Sequence, residues 1–156
     1  METWSTRDFS EAGLELNFVQ DNHSSSTQGI LRGLHYQIQN PQGKLVRVIR
    51  GEVYDVAVDM RKSSPTYGES VGIILSEQNQ RMLWVPPGFA HGFYVTSETA
   101  EFVYKCTDLY APEHERSLLW NDPDLNIDWP IATGTAPILS EKDTNGTPFK
   151  KADSYS

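Results

Sequence analysis

The sequence predicts an all-β domain: a sandwich or barrel of antiparallel strands with one or two short helices. Three observations lead there. The apolar segments are short and rich in Val, Ile, Tyr and Phe, whose branched or flat side chains suit a pleated, half-buried surface. Gly and Pro, 11 and 9 in number, break the chain at fairly regular intervals, as closely spaced strands demand. Apolar residues seldom recur at the three- and four-residue spacing of a helix face. A length of 156 residues, 38% hydrophobic and 22% charged, suits one ordinary core that needs no disulfide or metal staple.

Taken in order, residues 6–14 are the first helix expected. Strands are expected over 29–38 and 44–50. The second of these turns through Arg50-Gly51-Glu52 into a strand over 53–59, with Gly at the tight position of a hairpin. Further strands follow over 70–75, 82–85, 92–96 and 100–107. Ser140-Glu141-Lys142-Asp143 has the form of a capping box and opens a second helix. After Thr144 the residues are mostly Asn, Gly, Thr, Lys and Ser, a composition that predicts fraying or disorder over 144–156. No internal repeat or linker divides the chain. One domain over 1–143 is the expectation.

Thirteen Lys and Arg stand against twenty-one Asp and Glu, a formal net charge of -8. So acidic a chain suits no nucleic-acid polymer, which needs a basic surface to neutralise phosphates. A small anion is different, because a few local Arg and Lys side chains suffice to hold one. The single cysteine, Cys106, allows no internal disulfide and points to a reducing compartment. No run approaches the eighteen or so apolar residues of a membrane span, and the N-terminus lacks the apolar stretch of a secretory signal. The chain reads as cytoplasmic, with no membrane partner.

Three segments carry candidate chemistry. In Arg32-Gly33-Leu34-His35-Tyr36-Gln37, strand alternation sets Leu34 and Tyr36 on one face and His35 and Gln37 on the other. Taken alone, His35 reads as a satisfied polar residue. In Pro86-Pro87-Gly88-Phe89-Ala90-His91, prolines fix the approach and Gly88 permits a close turn. His91 there stands equally as a site residue or a polar hairpin residue. Along 100–106, Ala100, Phe102, Tyr104 and Cys106 share the inner face. A buried Tyr104 hydroxyl needs a partner, and a structural core tyrosine is the plain reading. Cys106 reads as a small buried hydrophobe, and His23 and His114 as exposed loop residues.

The Pro-x-Gly-x-x-His run ending at His91 resembles the second motif of the cupin superfamily. The wider text is more specific: Gln20-Asp21-Asn22-His23-Ser24, Leu31 to Gln37, Gln42-Gly43-Lys44-Leu45-Val46-Arg47, Gly51 to Asp59, Leu83-Trp84-Val85-Pro86 and Trp120-Asn121-Asp122. Together these resemble the dTDP-4-dehydrorhamnose 3,5-epimerase family over about residues 2–143. The resemblance implies a cupin-type jelly roll and a homodimer. It implies a metal-independent isomerase without cofactor, converting dTDP-4-dehydro-6-deoxy-D-glucose to dTDP-4-dehydro-L-rhamnose.

By position, His35 matches the family's base, paired with Asp143, and Tyr104 matches the acid on the opposite side of the sugar. Lys44 falls near the keto oxygen. Glu2, Gln20, Asp21, Asn22, Arg32, His91, Glu115 and Lys142 match nucleotide-sugar contacts. Glu2 matches the end of an Asp-x-Arg-Gly-x-Phe-x-Glu segment, so the resemblance implies roughly one further strand ahead of it. That segment's Arg contacts the diphosphate, and the region is exchanged between subunits.

These residue types suit the chemistry. Inverting a carbon beside a ketone means removing its proton and returning one to the other face. A His of ordinary pKa near 6.5 is a weak base for a C–H bond, so the enolate oxygen needs a preorganised cation. Simple alternation puts Arg32 opposite His35, and a bulge or kink at Gly33 reconciles the two. Asp143 also reads as a plain helix-capping residue. Rival functions are a single-carbon deoxysugar epimerase, a non-catalytic nucleotide-sugar-binding cupin and a metal-dependent cupin. The last expects a His-x-His pair, whereas His35 is followed by Tyr36-Gln37.

Overall fold

In the computed structural model, which describes residues 2–156, nine strands form two antiparallel sheets. They are β1 (Gln20–Thr27), β2 (Leu31–Gln37), β3 (Lys44–Arg50), β4 (Glu52–Asp59), β5 (Ser70–Ser76), β6 (Met82–Val85), β7 (Phe89–Val95), β8 (Thr99–Cys106) and β9 (Glu115–Ser117). One sheet runs β1-β8-β3-β6 and the other β5-β4-β7-β2-β9. Chain neighbours thus often lie in opposite sheets, which is the jelly-roll arrangement. The α-helices are α1 (Thr6–Glu11) and α2 (Glu141–Thr144). No described helix is long and apolar enough to cross a membrane.

Alternation sorts each strand's side chains into two cores. Between the sheets lie Val46, Val48, Val53, Ala57, Phe93, Val95, Ala100 and Phe102. On the outer face of the five-stranded sheet, Leu34, Tyr36, Val56, Val58 and Tyr94 pack under Leu118, Leu125 and Trp129 of the C-terminal segment. At about 25 cal/mol per Å² of apolar surface removed from water, such burial is the main stabilising term. The N-terminal segment packs on the outer side of the four-stranded sheet at Trp84 of β6. There Trp4 packs on Phe9 and Phe18 at 4.6 Å, and Phe18 on Trp84 at 6.2 Å.

The expected strands at 44–50 and 82–85 form as such, and the others differ at their ends by one to three residues. Two strands escaped the sequence reading. Strand β1 is Gln-Asp-Asn-His-Ser-Ser-Ser-Thr, without a hydrophobic pattern, and is held by an unbroken antiparallel register with β8 from Gln20↔Cys106 to Thr27↔Thr99. His23 therefore sits on a strand rather than a loop, with its side chain exposed. Strand β9 is three residues long and exists through its pairing with His35, Tyr36 and Gln37.

Residues 144–156 do not fray as their composition predicts. Thr147 bridges to Leu118 and Tyr155 to Arg61. The Tyr36 hydroxyl donates to the Asp153 carbonyl at 2.5 Å, and the Tyr155 hydroxyl donates to the Gln37 carbonyl. These contacts hold the polypeptide against the barrel past residue 143. Tyr155 and Phe149 supply the apolar anchoring that the tail's overall polarity conceals.

Candidate active site

The site begins with an irregularity in β2. Its register against β7 runs Leu31↔Tyr94 and Arg32↔Phe93, then shifts by one residue to His35↔His91. This is the bulge expected at Gly33. One extra residue on β2 resets the alternation, so Arg32 and His35 both line one cavity. Only glycine fits: a Cβ at Gly33 would stand 2.5 Å from the Gly92 Cα, on a backbone with φ of +123°.

His35 meets Asp143 from α2, with Nε2 at 2.5 Å from Oδ1. A carboxylate only accepts, so Nε2 carries the hydrogen and Nδ1 is left as the basic nitrogen. The Ser140 hydroxyl donates to the other carboxylate oxygen at 2.7 Å, and the Gly33 N–H donates to Oδ1 at 3.3 Å. Burial pushes the Asp143 carboxyl up, but the bonds from His35, Ser140 and Gly33 outweigh it and hold it below its ordinary value. The capping reading is also correct, because Ser140 Oγ accepts the Asp143 N–H at 3.1 Å. One short helix thus serves to cap itself and to orient a histidine.

Lys44 and Tyr104 come from the facing sheet, where Val46 is the register partner of Tyr104 and Lys44 that of Cys106. Burial lowers the pKa of Lys44, although Cys106, Glu115 and Asp55 pull the other way. Burial and the neighbouring Cys106 raise that of Tyr104, so its phenol stays protonated.

His35, Lys44 and Tyr104 share a cavity of about 340 Å³. Gln20, Asn22, Arg32, His91, Glu115 and Lys142 also line it. The ion pairs among the described residues leave Arg32 and Lys44 free, while Lys142 holds Glu115 at 2.8 Å. Two expected residues fall elsewhere. Asp21 lies on the outer face of β1, where Lys105 bonds it at 3.0 Å, because alternation sends its neighbours Gln20 and Asn22 inward. Glu2 is exposed and does not line the cavity. A separate hollow of about 310 Å³ on the outer face of this sheet is lined by Asp21, His23 and Arg47, without His35 or Lys44.

Several site residues escaped the sequence reading. Tyr110 lines the cavity mouth, its N–H bonded to Gln20 Oε1 at 3.0 Å and its hydroxyl to Glu115 at 3.2 Å. No local pattern marks it. Asp55 bonds His91 Nε2 at 2.8 and 3.1 Å, both side chains being buried. Here a signal existed: period two places Asp55 between Val53 and Ala57 on the apolar inner face. Among the described residues, no three His, Cys, Asp or Glu side chains converge as metal ligands.

The chain matches the dTDP-4-dehydrorhamnose 3,5-epimerase family over residues 1–151. The enzyme of that name from Pseudomonas aeruginosa is 59% identical over 155 residues, 99% of this chain and 84% of the relative. Its counterpart from Methanothermobacter thermautotrophicus is 54% identical, with the same shares covered. Among solved structures, a Legionella pneumophila dTDP-6-deoxy-D-glucose-3,5-epimerase in complex with dTDP-4-keto-L-rhamnose superposes with a TM-score of 0.93 and 52% identity. That likeness covers 97% of this chain and 80% of that one. Sequence and overall fold thus agree, and the chain is a member of the dTDP-4-dehydrorhamnose 3,5-epimerase family.

Proposed function

We infer that the protein is an epimerase that inverts C3 and C5 of dTDP-4-dehydro-6-deoxy-D-glucose, giving dTDP-4-dehydro-L-rhamnose. Family membership supports the reaction. The observation that carries the assignment of roles is that His35, held by Asp143 of α2, and Lys44 with Tyr104 reach one cavity from facing sheets. Both reacting carbons flank the C4 ketone, so each C–H bond is acidified by the same carbonyl.

In each inversion Nδ1 of His35 takes the proton from carbon, and the electron pair moves onto the C4 oxygen. Asp143 stabilises the imidazolium that forms, and Lys44 the enolate oxygen. The Tyr104 hydroxyl then returns a proton to the opposite face, and solvent exchange resets both groups. A partly buried lysine and a protonated phenol at this spot fit those two tasks. Arg32 and Lys142 supply cationic contacts for the anionic nucleotide, which explains how an acidic protein accepts an anion.

NMR in deuterated water with dTDP-4-dehydro-6-deoxyglucose tests the reading. Deuterium is expected at both C3 and C5. Incorporation at one carbon alone would make this a single-carbon epimerase, and none at all a binding module. His35→Ala is expected to reduce exchange by about 10²- to 10⁴-fold while dTDP still binds; near-normal exchange would remove His35 as the base. We also propose a cytoplasmic homodimer. The lone buried Cys106 supports a reducing compartment, and the family resemblance supports the dimer. A clean monomer by light scattering at micromolar concentration would refute the dimer.

A further inference from the structure

Inside the barrel one carboxylate stands where an apolar side chain is expected. Asp55 has no exposed surface and shares its inner face of β4 with Val53 and Ala57. Phe93, its register partner on β7, belongs to the same apolar interior. Among the described residues its hydrogen bonds go only to His91 Nε2, at 2.8 and 3.1 Å. A buried His–carboxylate pair is a poor device for stability, and two apolar residues of similar volume in its place generally serve as well or better. Its presence calls for another purpose.

His91 supplies it. Its side chain is 7% exposed, its ring stacks over Phe102 with an interplanar angle of 15°, and it lines the cavity. It is also the cross-strand partner of His35, so the histidines of two His–Asp pairs stand side by side on β2 and β7, their carboxylates supplied by α2 and β4. In each pair the carboxylate takes Nε2. Asp55 cannot donate, so Nε2 of His91 carries the hydrogen. The neutral ring then has Nδ1 as an unpaired acceptor, to which no hydrogen bond is recorded within the described residues. An acceptor of this kind matches a hydroxyl group and mismatches a ketone oxygen.

We propose that Asp55 is a positioning residue which, by fixing the His91 tautomer, makes the barrel floor an acceptor for a hydroxyl of the hexose ring beside the reacting carbons. Asp55 touches no substrate and acts through His91. The arrangement gives the two dyads distinct tasks: one nitrogen takes protons from carbon, the other holds a sugar hydroxyl so that the ring presents its C–H bonds to His35. The proposal rests on the epimerase reading above, and its primary test does not.

That test is the side-chain ¹⁵N spectrum of His91 in the substrate-free protein, assigned with His91→Gln. A pyrrole-like Nε2 and a pyridine-like Nδ1 are expected. A proton on Nδ1 instead would overturn the proposal whether or not the protein is an epimerase. Asp55→Asn, near-isosteric but able to donate, is expected to redistribute the tautomer and lower kcat/KM by roughly 10- to 100-fold, with dTDP affinity unchanged. Wild-type kcat/KM alongside a redistributed tautomer would overturn it. Asp55→Leu leaves the buried His91 Nε2–H without its acceptor, so a lower melting temperature together with the same loss of rate is expected. A lower melting temperature with unchanged rates would make Asp55 merely structural.

Discussion

The Lys44 ammonium stands 5.9 Å from the centroid of the Tyr104 ring. Both groups are shifted toward their neutral forms by the same burial, Lys44 downward and Tyr104 upward. For the lysine this matters to folding as well as chemistry. The folded protein releases the Lys44 proton at a lower pH than the unfolded chain does. Between those two values the unfolded state binds more protons, so stability rises with pH. Lys44→Met is therefore expected to raise the melting temperature at pH 7 and to abolish that alkaline rise. The same variant should lose about 10²- to 10³-fold in kcat, as when a preorganised oxyanion partner is removed. In the wild type, the alkaline limb of the rate profile should begin below the ordinary lysine value near 10.4. Calorimetry and rate profiles across pH 6–11 decide both points, and a less stable variant would contradict the burial argument.

Tyr104→Phe separates the two halves of an inversion. The ring keeps its contact with Phe102, whose centroid is 5.6 Å away, so packing changes little. Only the hydroxyl is lost. Proton removal by His35 is expected to persist as deuterium exchange, while the product keeps its starting configuration. An unchanged rate and product stereochemistry would remove Tyr104 as the acid.

Gly33→Ala tests the bulge. The added Cβ meets backbone at 2.5 Å, at Gly92, and at 2.8 Å, at the His91 carbonyl, and neither neighbour is a flexible side chain. A positive φ adds its own penalty of about 1–3 kcal/mol. The variant should be destabilised by at least that amount, and its residual folded fraction should bind dTDP weakly because Arg32 and His35 lose their common direction. Chemical denaturation measures the first effect and isothermal titration the second. Wild-type stability would show that β2 accommodates the residue by another route.

How far the site could be read in advance follows from where each residue lies. The bulge was legible because two residues expected at one ligand, Arg32 and His35, conflict with period two, and a glycine lies between them. Asp143 was legible as a helix cap from Ser140 alone. Its contact with His35, across 108 positions, is a long-range event that local spacing does not encode. Asp21 falls outside the cavity because a strand sends the middle member of Gln20-Asp21-Asn22 outward. Strand β1 was invisible for a related reason: its inward residues face a polar cavity rather than a core, so no hydrophobic alternation marks it.

The same limit hid the role of the C-terminal residues, and it yields the last test. Polar composition predicts a frayed tail, yet the backbone of Tyr155 is clamped on both sides. Its N–H donates to the Met60 carbonyl at 3.0 Å and its carbonyl accepts from Lys62 at 2.8 Å. Phe149 packs against Tyr67 at 5.0 Å, and its N–H reaches Asp122 at 2.9 Å. Removing residues 148–156 uncovers Met60 and Tyr36, both buried in the intact chain. Losing part of that apolar cover and several backbone bonds should cost about 2–4 kcal/mol. For a chain of this size that is a fall in melting temperature of roughly 4–16 °C. The Tyr155 hydroxyl also holds the Gln37 carbonyl, two residues from His35, so kcat should drop in the truncated protein even at temperatures where it remains folded. A melting temperature within about 2 °C of the full chain, a shift equivalent to less than ~1 kcal/mol, would show that the tail only rests on the barrel.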